Sequence, residues 1–334
     1  MRTESTTILV TGATGFVGRH LAPILEARGG RVRGATRYIP LRDRSGIAEW
    51  VKIGGVGPDT DWTEALRGVN TVIHLAALAH RTDPRRQPRE EEYMAVNAAG
   101  TRKLAEAVVR NGGVRRFVFV SSIGAVTEAS DALIDETLQP RPVSAYGRSK
   151  LAGEQAVREA LHGSAVEWCI LRPVLTYGPA NPGNMARLLR LVRSGLPLPL
   201  AGIRNRRSFV YIGNLVDAID RVAAMPGISG RIFNVADDEM VSTPELIRFV
   251  AEATGRKARL WPVPDWSLKV AAQCGDVAGG LGLRTGLDTY SLRRLMQSLT
   301  VSNQALRKAT RWRPRLTLME GLRATFRDKT ADEN

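Results

Sequence analysis

The chain has 334 residues, 43% of them hydrophobic, with 48 basic against 33 acidic side chains and a net charge of +15. That length holds one large α/β domain or two smaller ones with a sizeable core, and no apolar run nears the ~20 residues that would cross a bilayer. Two cysteines, Cys169 and Cys274, make neither a disulfide framework nor a metal site.

The polar residues 1–7 lead straight into an apolar run, so no secretory leader is expected and the chain reads as cytoplasmic. Of the 48 basic residues 41 are arginine, the better bidentate partner for phosphate. They are spread along the chain, without aromatic interleaving or a nucleic-acid motif. Nucleic acid is therefore not expected as a partner. An anionic small substrate, over an arginine-rich background, suits the charge better.

Ile8-Leu9-Val10 runs into Thr11-Gly12-Ala13-Thr14-Gly15-Phe16-Val17-Gly18, and Leu21, Ile24 and Leu25 follow at helical spacing. This predicts a strand, a glycine turn and a helix N-terminus. Gly12, Gly15 and Gly18 would let the backbone approach a pyrophosphate, with Phe16 and Val17 opening a helix whose free N–H groups face an anion. The spacing is G-x-x-G-x-x-G, and a plain glycine turn is the alternative.

Residues 30–37 fill the place of a second strand. No acidic residue occurs between Glu26 and Asp43, so the carboxylate that accepts an adenosine ribose hydroxyl in NAD-preferring folds is missing. Thr36 and Arg37 stand there instead. Arg37 can pair with a 2′-phosphate, so the cofactor is NADP(H) or NAD(H) with a lean to the former; the alternative is a surface arginine.

Residues 71–77 predict a buried parallel strand. Its small end, Leu75-Ala76-Ala77, can lie beside a cofactor; His74 reads as a core histidine, and His80, past the strand end, as a substrate contact or a solvated side chain. A helix is predicted over 91–111 with Asn97 near its start, then a strand over 117–120 ending in Ser121-Ser122. In Ser144-Ala145-Tyr146-Gly147-Arg148-Ser149-Lys150, Tyr146 and Lys150 share one helical face. A nearby ammonium lowers a phenol pKa and fits Tyr146 for proton transfer to or from a hydroxyl or carbonyl oxygen. The strand 166–171 runs into 172–179, which contains Pro173, Val174, Gly178 and Pro179 and is expected to be a rigid loop where a nicotinamide or substrate would sit. Beyond Pro179 come a helix over 184–194, the cluster Arg204, Arg206 and Arg207 as a candidate diphosphate grip, a helix over 214–224, a strand over 231–236 and a capped helix from Thr243.

With the glycine turn, Ser122, Tyr146-x-x-x-Lys150 and Arg172-Pro173 in order, the chain resembles the extended short-chain dehydrogenase/reductase family, in its NAD-dependent epimerase/dehydratase branch. His74-Leu-Ala-Ala…His80, Ser121-Ser122-Ile123, Leu198-Pro199-Leu200 and the stretch 204–215 look more narrowly like reductases of bacterial O-antigen sugar pathways, which act on UDP-2-acetamido-2,6-dideoxy-4-hexuloses. The resemblance implies a Rossmann-type doubly wound parallel sheet with a smaller C-terminal α/β substrate domain. The expected division is 1–178, with a later contribution from about 209–236, and 179–334. It implies a pyrophosphate on Gly12, Gly15 and Gly18, cofactor contacts from Leu75, Ala76, Ala77, Ser121, Pro173 and Val174, Ser122 on the sugar 4-oxygen, Tyr146 as acid/base and Lys150 on the nicotinamide ribose. It also implies Asn184 and Arg207 on UDP, and a homodimer.

The leading expectation is NAD(P)H-dependent reduction of a 4-keto group on a UDP-linked sugar. A UDP-hexose or UDP-HexNAc 4-epimerase is the alternative within the branch, and a non-catalytic cofactor-binding sensor the alternative of another class. Ile123-Gly124 after Ser122, in place of Asp-Glu, disfavours a 4,6-dehydratase.

Overall fold

The computed structural model describes residues 6–40, 46–79, 88–181, 184–280 and 289–327. The first half runs β1 (Thr7–Thr11), α1 (Phe16–Ala27), β2 (Arg31–Thr36), β3 (Glu49–Lys52), α2 (Thr63–Leu66), β4 (Thr71–His74), α3 (Glu90–Met94), a π-helical turn (Ala95–Ala99), α4 (Gly100–Asn111), β5 (Arg116–Val120), a 3₁₀ turn (Ile123–Ala125), β6 (Ser130–Ile134) and α5 (Ala145–Leu161). The second half runs β7 (Glu167–Pro173), β8 (Leu175–Tyr177), α6 (Asn184–Arg193), β9 (Arg207–Tyr211), α7 (Ile212–Ala224), β10 (Arg231–Val235), β11 (Met240–Val241), α8 (Thr243–Ala253), α9 (Asp265–Gly280), α10 (Thr289–Met296), β12 (Leu299–Val301), α11 (Gln304–Thr310) and α12 (Leu318–Arg327).

Among the described residues, seven strands form one parallel sheet in the order β10-β7-β5-β4-β1-β2-β3. The chain winds out from β1 to β3 and returns to β4 on β1's other side, so the strand order reverses between β1 and β4. A crevice at the carboxyl ends of the strands is expected there.

The strands are apolar on both faces, and the two-residue period sorts them. Ile8, Val10, Val118, Val120 and Leu171 pack against α1 and α7, together with Trp312. Leu9, Phe117, Phe119 and Ile170 pack with Leu104 and Val108 of α4 and Val157 and Leu161 of α5. Each such side chain contributes roughly 1.5–3 kcal/mol on burial.

The helix predicted over 91–111 is interrupted by the π-helical turn that contains Asn97. The wide turn has a tertiary cause. A Cβ on Gly153 of α5 would lie 2.4 Å from the Asn97 carbonyl, so α5 presses directly on that turn. Thr101 Oγ1 donates to the same carbonyl at 2.8 Å.

A second sheet, in the order β11-β9-β12-β6 with β8 paired to β9, carries its own core of Leu189, Phe209, Ile247, Val250 and Leu322. Of the stretch 209–236 expected to return to the large sheet, β10 does so and α7 covers that sheet's face, while β9 belongs to the smaller one.

Candidate active site

Gly12 adopts φ +68°, and a Cβ there would meet the Ala76 nitrogen at 2.8 Å. A Cβ on Gly18 would lie 2.5 Å from the Gly12 carbonyl. The turn after β1 therefore sits directly against the Leu75-Ala76 backbone, and the first turn of α1 folds back on it. Gly15 caps α1 with no side chain over its first N–H groups, which leaves them open to an anion. This cradle exists only because three side chains are missing, and it fits a dinucleotide pyrophosphate. Leu75, Ala76 and Ala77 are half-buried along its rim; Pro173 ends β7 and Val174 follows it.

A buried polar chain ties the cradle to α5. Thr11 Oγ1 is 2.6 Å from His74 Nδ1 and also accepts from the Ala76 N–H at 3.2 Å. His74 Nε2 is 3.0 Å from Thr101 Oγ1. Asn97 donates to the Leu78 carbonyl and to Ser149 Oγ, each at 2.9 Å, and accepts from the Leu78 N–H at 2.7 Å. Ser149 in turn donates to the Tyr146 carbonyl at 2.8 Å. His74 is thus the core histidine expected, and burial holds its imidazole down to about 3.

Ser144 caps α5 by accepting from the Gly147 N–H at 3.0 Å. A Cβ on Gly147 would lie 2.3 Å from the Gly124 carbonyl, so α5 begins in contact with the turn that follows Ser122. That contact brings the Ser122 and Tyr146 hydroxyls into a hydrogen bond. The Tyr93 ring stands edge-on to Tyr146, with centroids 6.2 Å apart.

Lys150 is 1% exposed. Its Nζ donates to the Val120 carbonyl at 2.8 Å and lies 4.4 Å from the centre of the Phe119 ring. Burial lowers the Lys150 ammonium to about 7, opposed by the Glu154 charge. The expected ordering of pKa values is not what the structure shows. Burial raises the Tyr146 phenol above its usual value, and the hydrogen bond from Ser122, rather than the Lys150 charge, is what opposes the rise. In this state Tyr146 is a proton donor at neutral pH.

Three residues at this site were not anticipated. Glu154, one helical turn beyond Lys150, accepts from Arg172 through both oxygens, at 2.9 and 2.6 Å, and from Ser121 Oγ at 2.6 Å. The pair is almost fully buried, at 4% and 2% exposure. It locks α5 to the ends of β5 and β7. Asn97 and Tyr93 complete the set. The i, i+4, i+8 spacing of Tyr146, Lys150 and Glu154 was visible in the sequence; the partner Arg172 was not.

At the far end of the cradle, Thr36 is buried and donates to the Tyr38 carbonyl at 2.9 Å. Arg37 is exposed and lies across Gly55, where a Cβ would meet its Cδ at 3.6 Å. The three arginines expected to form one grip each have their own surroundings. Arg207 Nη1 donates to the Arg294 and Gln297 carbonyls at 2.8 and 3.1 Å, and Arg206 to the Met240 carbonyl at 3.3 Å. Arg204 lines a cavity of about 480 Å³ with Asn205, Asp265, Gln297 and Ser298, which neither Ser122 nor Tyr146 reaches. Asn184 opens α6, and His80 lies outside the described residues.

Residues 8–236 match the NAD dependent epimerase/dehydratase family. The chain belongs to that family. Among its curated relatives, a UDP-glucose 4-epimerase of Vibrio cholerae is 34% identical over 95% of this chain and 94% of the relative. An N-acetyl-alpha-D-glucosaminyl-diphospho-ditrans,octacis-undecaprenol 4-epimerase of Escherichia coli O157:H7 is 28% identical over 81% of this chain and 79% of the relative. The solved structure of MoeE5 in complex with UDP-glucuronic acid and NAD is 27% identical, with a TM-score of 0.75, and covers 98% of this chain and 100% of that one. The Rossmann-type fold and the epimerase/dehydratase membership expected from the motifs are both shown. The narrower likeness to O-antigen ketoreductases is not what these relatives single out.

Proposed function

We propose that the protein is an NAD(P)-dependent enzyme that moves hydride at C4 of a UDP-linked hexose or 2-acetamidohexose, and that it works as a 4-epimerase. The observation that carries the reading is the Ser122–Tyr146 hydrogen bond set beside the buried Lys150, within the same polar framework that builds the glycine cradle. The relatives support the 4-position and the UDP sugar: two are named 4-epimerases and one neighbour holds a UDP-sugar with NAD.

Gly12, Gly15, Phe16, Val17 and Gly18 would hold the pyrophosphate, Thr36 and Arg37 the adenosine end, and Leu75, Ala76, Ala77, Ser121, Pro173 and Val174 the rest of the dinucleotide. When bound, the dinucleotide accepts or donates the hydride, and its oxidised ring brings a positive charge. Lys150, whose Nζ donates to the Val120 carbonyl, carries a positive charge below its pKa of about 7. The hydrogen bond from Ser122 favours the Tyr146 phenolate needed to take a proton from a sugar hydroxyl. Tyr146 returns the proton to the 4-oxygen when the ketone is reduced, and Ser122 orients that oxygen. Asn184 and Arg207 are the proposed UDP contacts.

A second reading, reduction of a UDP-linked 2-acetamido-2,6-dideoxy-4-hexulose, is favoured by one observation. The end of β2 carries Arg37 over Gly55 and no carboxylate, which suits NADPH, an exchangeable reductant. Incubation of the purified protein with UDP-GlcNAc or UDP-glucose, without added reductant, separates the two. We expect the C4 epimer to accumulate to a constant ratio. Failure to epimerise, together with stoichiometric NAD(P)H consumption on a 4-keto sugar, establishes the reductase instead.

A further inference from the structure

Helix α9 is apolar on both of its faces. Leu268 and Ala272 are buried, at 4% and 0% exposure, and pack with Leu292 of α10. The opposite face carries Trp266, Val270 and Val277, exposed at 68%, 50% and 68%. Their spacing of four and seven residues puts them on one stripe, with Lys269 and Gln273 beside it and also exposed.

Val263, which packs on the buried side of α9, follows an edge that carries further exposed apolar side chains. The Leu198 N–H donates to the Arg259 carbonyl at 2.7 Å, and the Trp261 N–H returns to the Leu198 carbonyl at 2.9 Å. The segments flanking this pairing present Leu196 and Trp261, exposed at 65% and 63%. Arg256 joins the edge to the end of α6, donating to the Arg193 carbonyl at 3.4 Å.

Two tryptophans and three aliphatic side chains left in water on one lobe mark a surface that something covers. Its charge says what. Stretches 184–200 and 254–280 hold seven arginines or lysines against two acidic residues, Asp265 and Asp276. Arg256, Lys257, Arg259 and Lys269 are exposed alongside the tryptophans. A second copy of the same patch would bring these cations against each other. An anionic lipid surface instead takes both elements at once: indole rings settle at the headgroup level and basic side chains pair with phosphates.

We propose that the face formed by α9 and the 196/261 edge docks the protein onto anionic membrane surfaces, as an interfacial attachment without any spanning helix. No helix among the described residues is long and apolar enough to cross a membrane. This inference stands apart from the sugar chemistry, because none of these residues touches Ser122, Tyr146 or the glycine cradle.

The test is flotation of the full chain with vesicles of phosphatidylethanolamine and phosphatidylglycerol, and with phosphatidylcholine vesicles alone. We expect co-flotation with the anionic vesicles and a blue shift of tryptophan emission, both weakened by salt. A Trp266→Ser/Val277→Ser double variant is expected to lose vesicle binding at least ~10-fold while keeping turnover of the soluble sugar nucleotide. A Lys257→Glu/Arg259→Glu variant, which leaves the apolar stripe intact, is expected to lose it too. Wild-type chain that fails to float with either vesicle, or variants that bind as well as wild type, overturn the proposal. So does a double variant whose only change is a smaller oligomer in solution, since that assigns the face to another copy of the chain.

Discussion

Tyr146 is held between two opposing influences: burial favours its neutral phenol, and the hydrogen bond from Ser122 favours the ionised form. A phenylalanine in its place keeps the ring against Tyr93 and removes only the hydroxyl. Tyr146→Phe is therefore expected to lose turnover by ~10²–10⁴-fold while dinucleotide binding, read by fluorescence titration, stays within about twofold of wild type. Glu154 acts through its neighbours, so it is a positioning residue. Its carboxylate props up the Lys150 ammonium against burial. Glu154→Gln should lower the Lys150 pKa further and move the alkaline limb of the kcat/KM profile to lower pH. It also leaves Arg172 buried with half its partnership gone, at a cost of about 3–5 kcal/mol, seen as a lower urea midpoint. A change in stability without the shift in the pH profile would confine Glu154 to packing. At this scale the Tyr146/Lys150 pair was legible because four-residue spacing is local. The Tyr146 shift was not, because desolvation depends on what covers the ring. The Glu154–Arg172 pair was not, because it joins a helix to a strand that only the sheet register brings together.

The elements that build the site are held by close backbone approach. Gly147 lies in α5, where alanine is ordinarily the better helix former by about 1 kcal/mol. Here its Cβ would enter the space of the Gly124 carbonyl. Gly147→Ala is therefore expected to push the start of α5 away from the Ser122 turn and to cut kcat by at least ~10-fold, with far-UV circular dichroism unchanged. Turnover equal to wild type would show that the helix and the turn can part without harm. The glycine turn after β1 was legible from its triplet and its flanking apolar runs. The π-helical turn was not, since residues 91–111 carry an ordinary helical pattern and the distortion comes from α5 pressing on Asn97. The arginines 204, 206 and 207 are neighbours in sequence, but the carbonyls that Arg206 and Arg207 reach, on Met240 and Arg294, lie far along the chain and were not legible.

Across the whole molecule, buried titratable groups of both kinds set the pH response. His74 takes up a proton near 6.5 when unfolded but only at about 3 when folded. The unfolded state thus binds more protons between those values, and stability falls as pH drops through that window. Lys150 repeats the pattern higher up: about 7 folded against 10.5 unfolded, so its share of stability is lost as pH falls from 10.5 towards 7. Burial raises the Asp237 carboxyl to about 7 and the Cys169 thiol to about 12, so their shares run the opposite way across these windows. His74→Gln removes one rising share and should make the urea midpoint rise less, or fall more, with pH between about 3 and 6.5. An unchanged slope in that variant would remove His74 from the account. The doubly wound order of the large sheet was legible from the alternation of apolar strands with amphipathic helices. The second sheet was not, because β6, β8, β11 and β12 are two to five residues long and pair across distant parts of the chain.

The wide turn at Ala95–Ala99 has a consequence for how this helix tolerates length changes. A π-helical turn holds one residue more than the α-helical turn it replaces, so a single deletion there would rejoin α3 and α4 as one regular rod with both flanks near their present orientation. Tyr93 would keep its place at the edge of Tyr146, while the carboxamide of Asn97 would no longer bridge to Leu78. The same one-residue deletion near Asn111, past the last of these contacts, would merely shorten an exposed end. A deletion within Ala95–Ala99 should thus cost the bridge through Asn97, whereas one between Gly100 and Val108 would turn Leu104 and Val108 about 100° off their buried face.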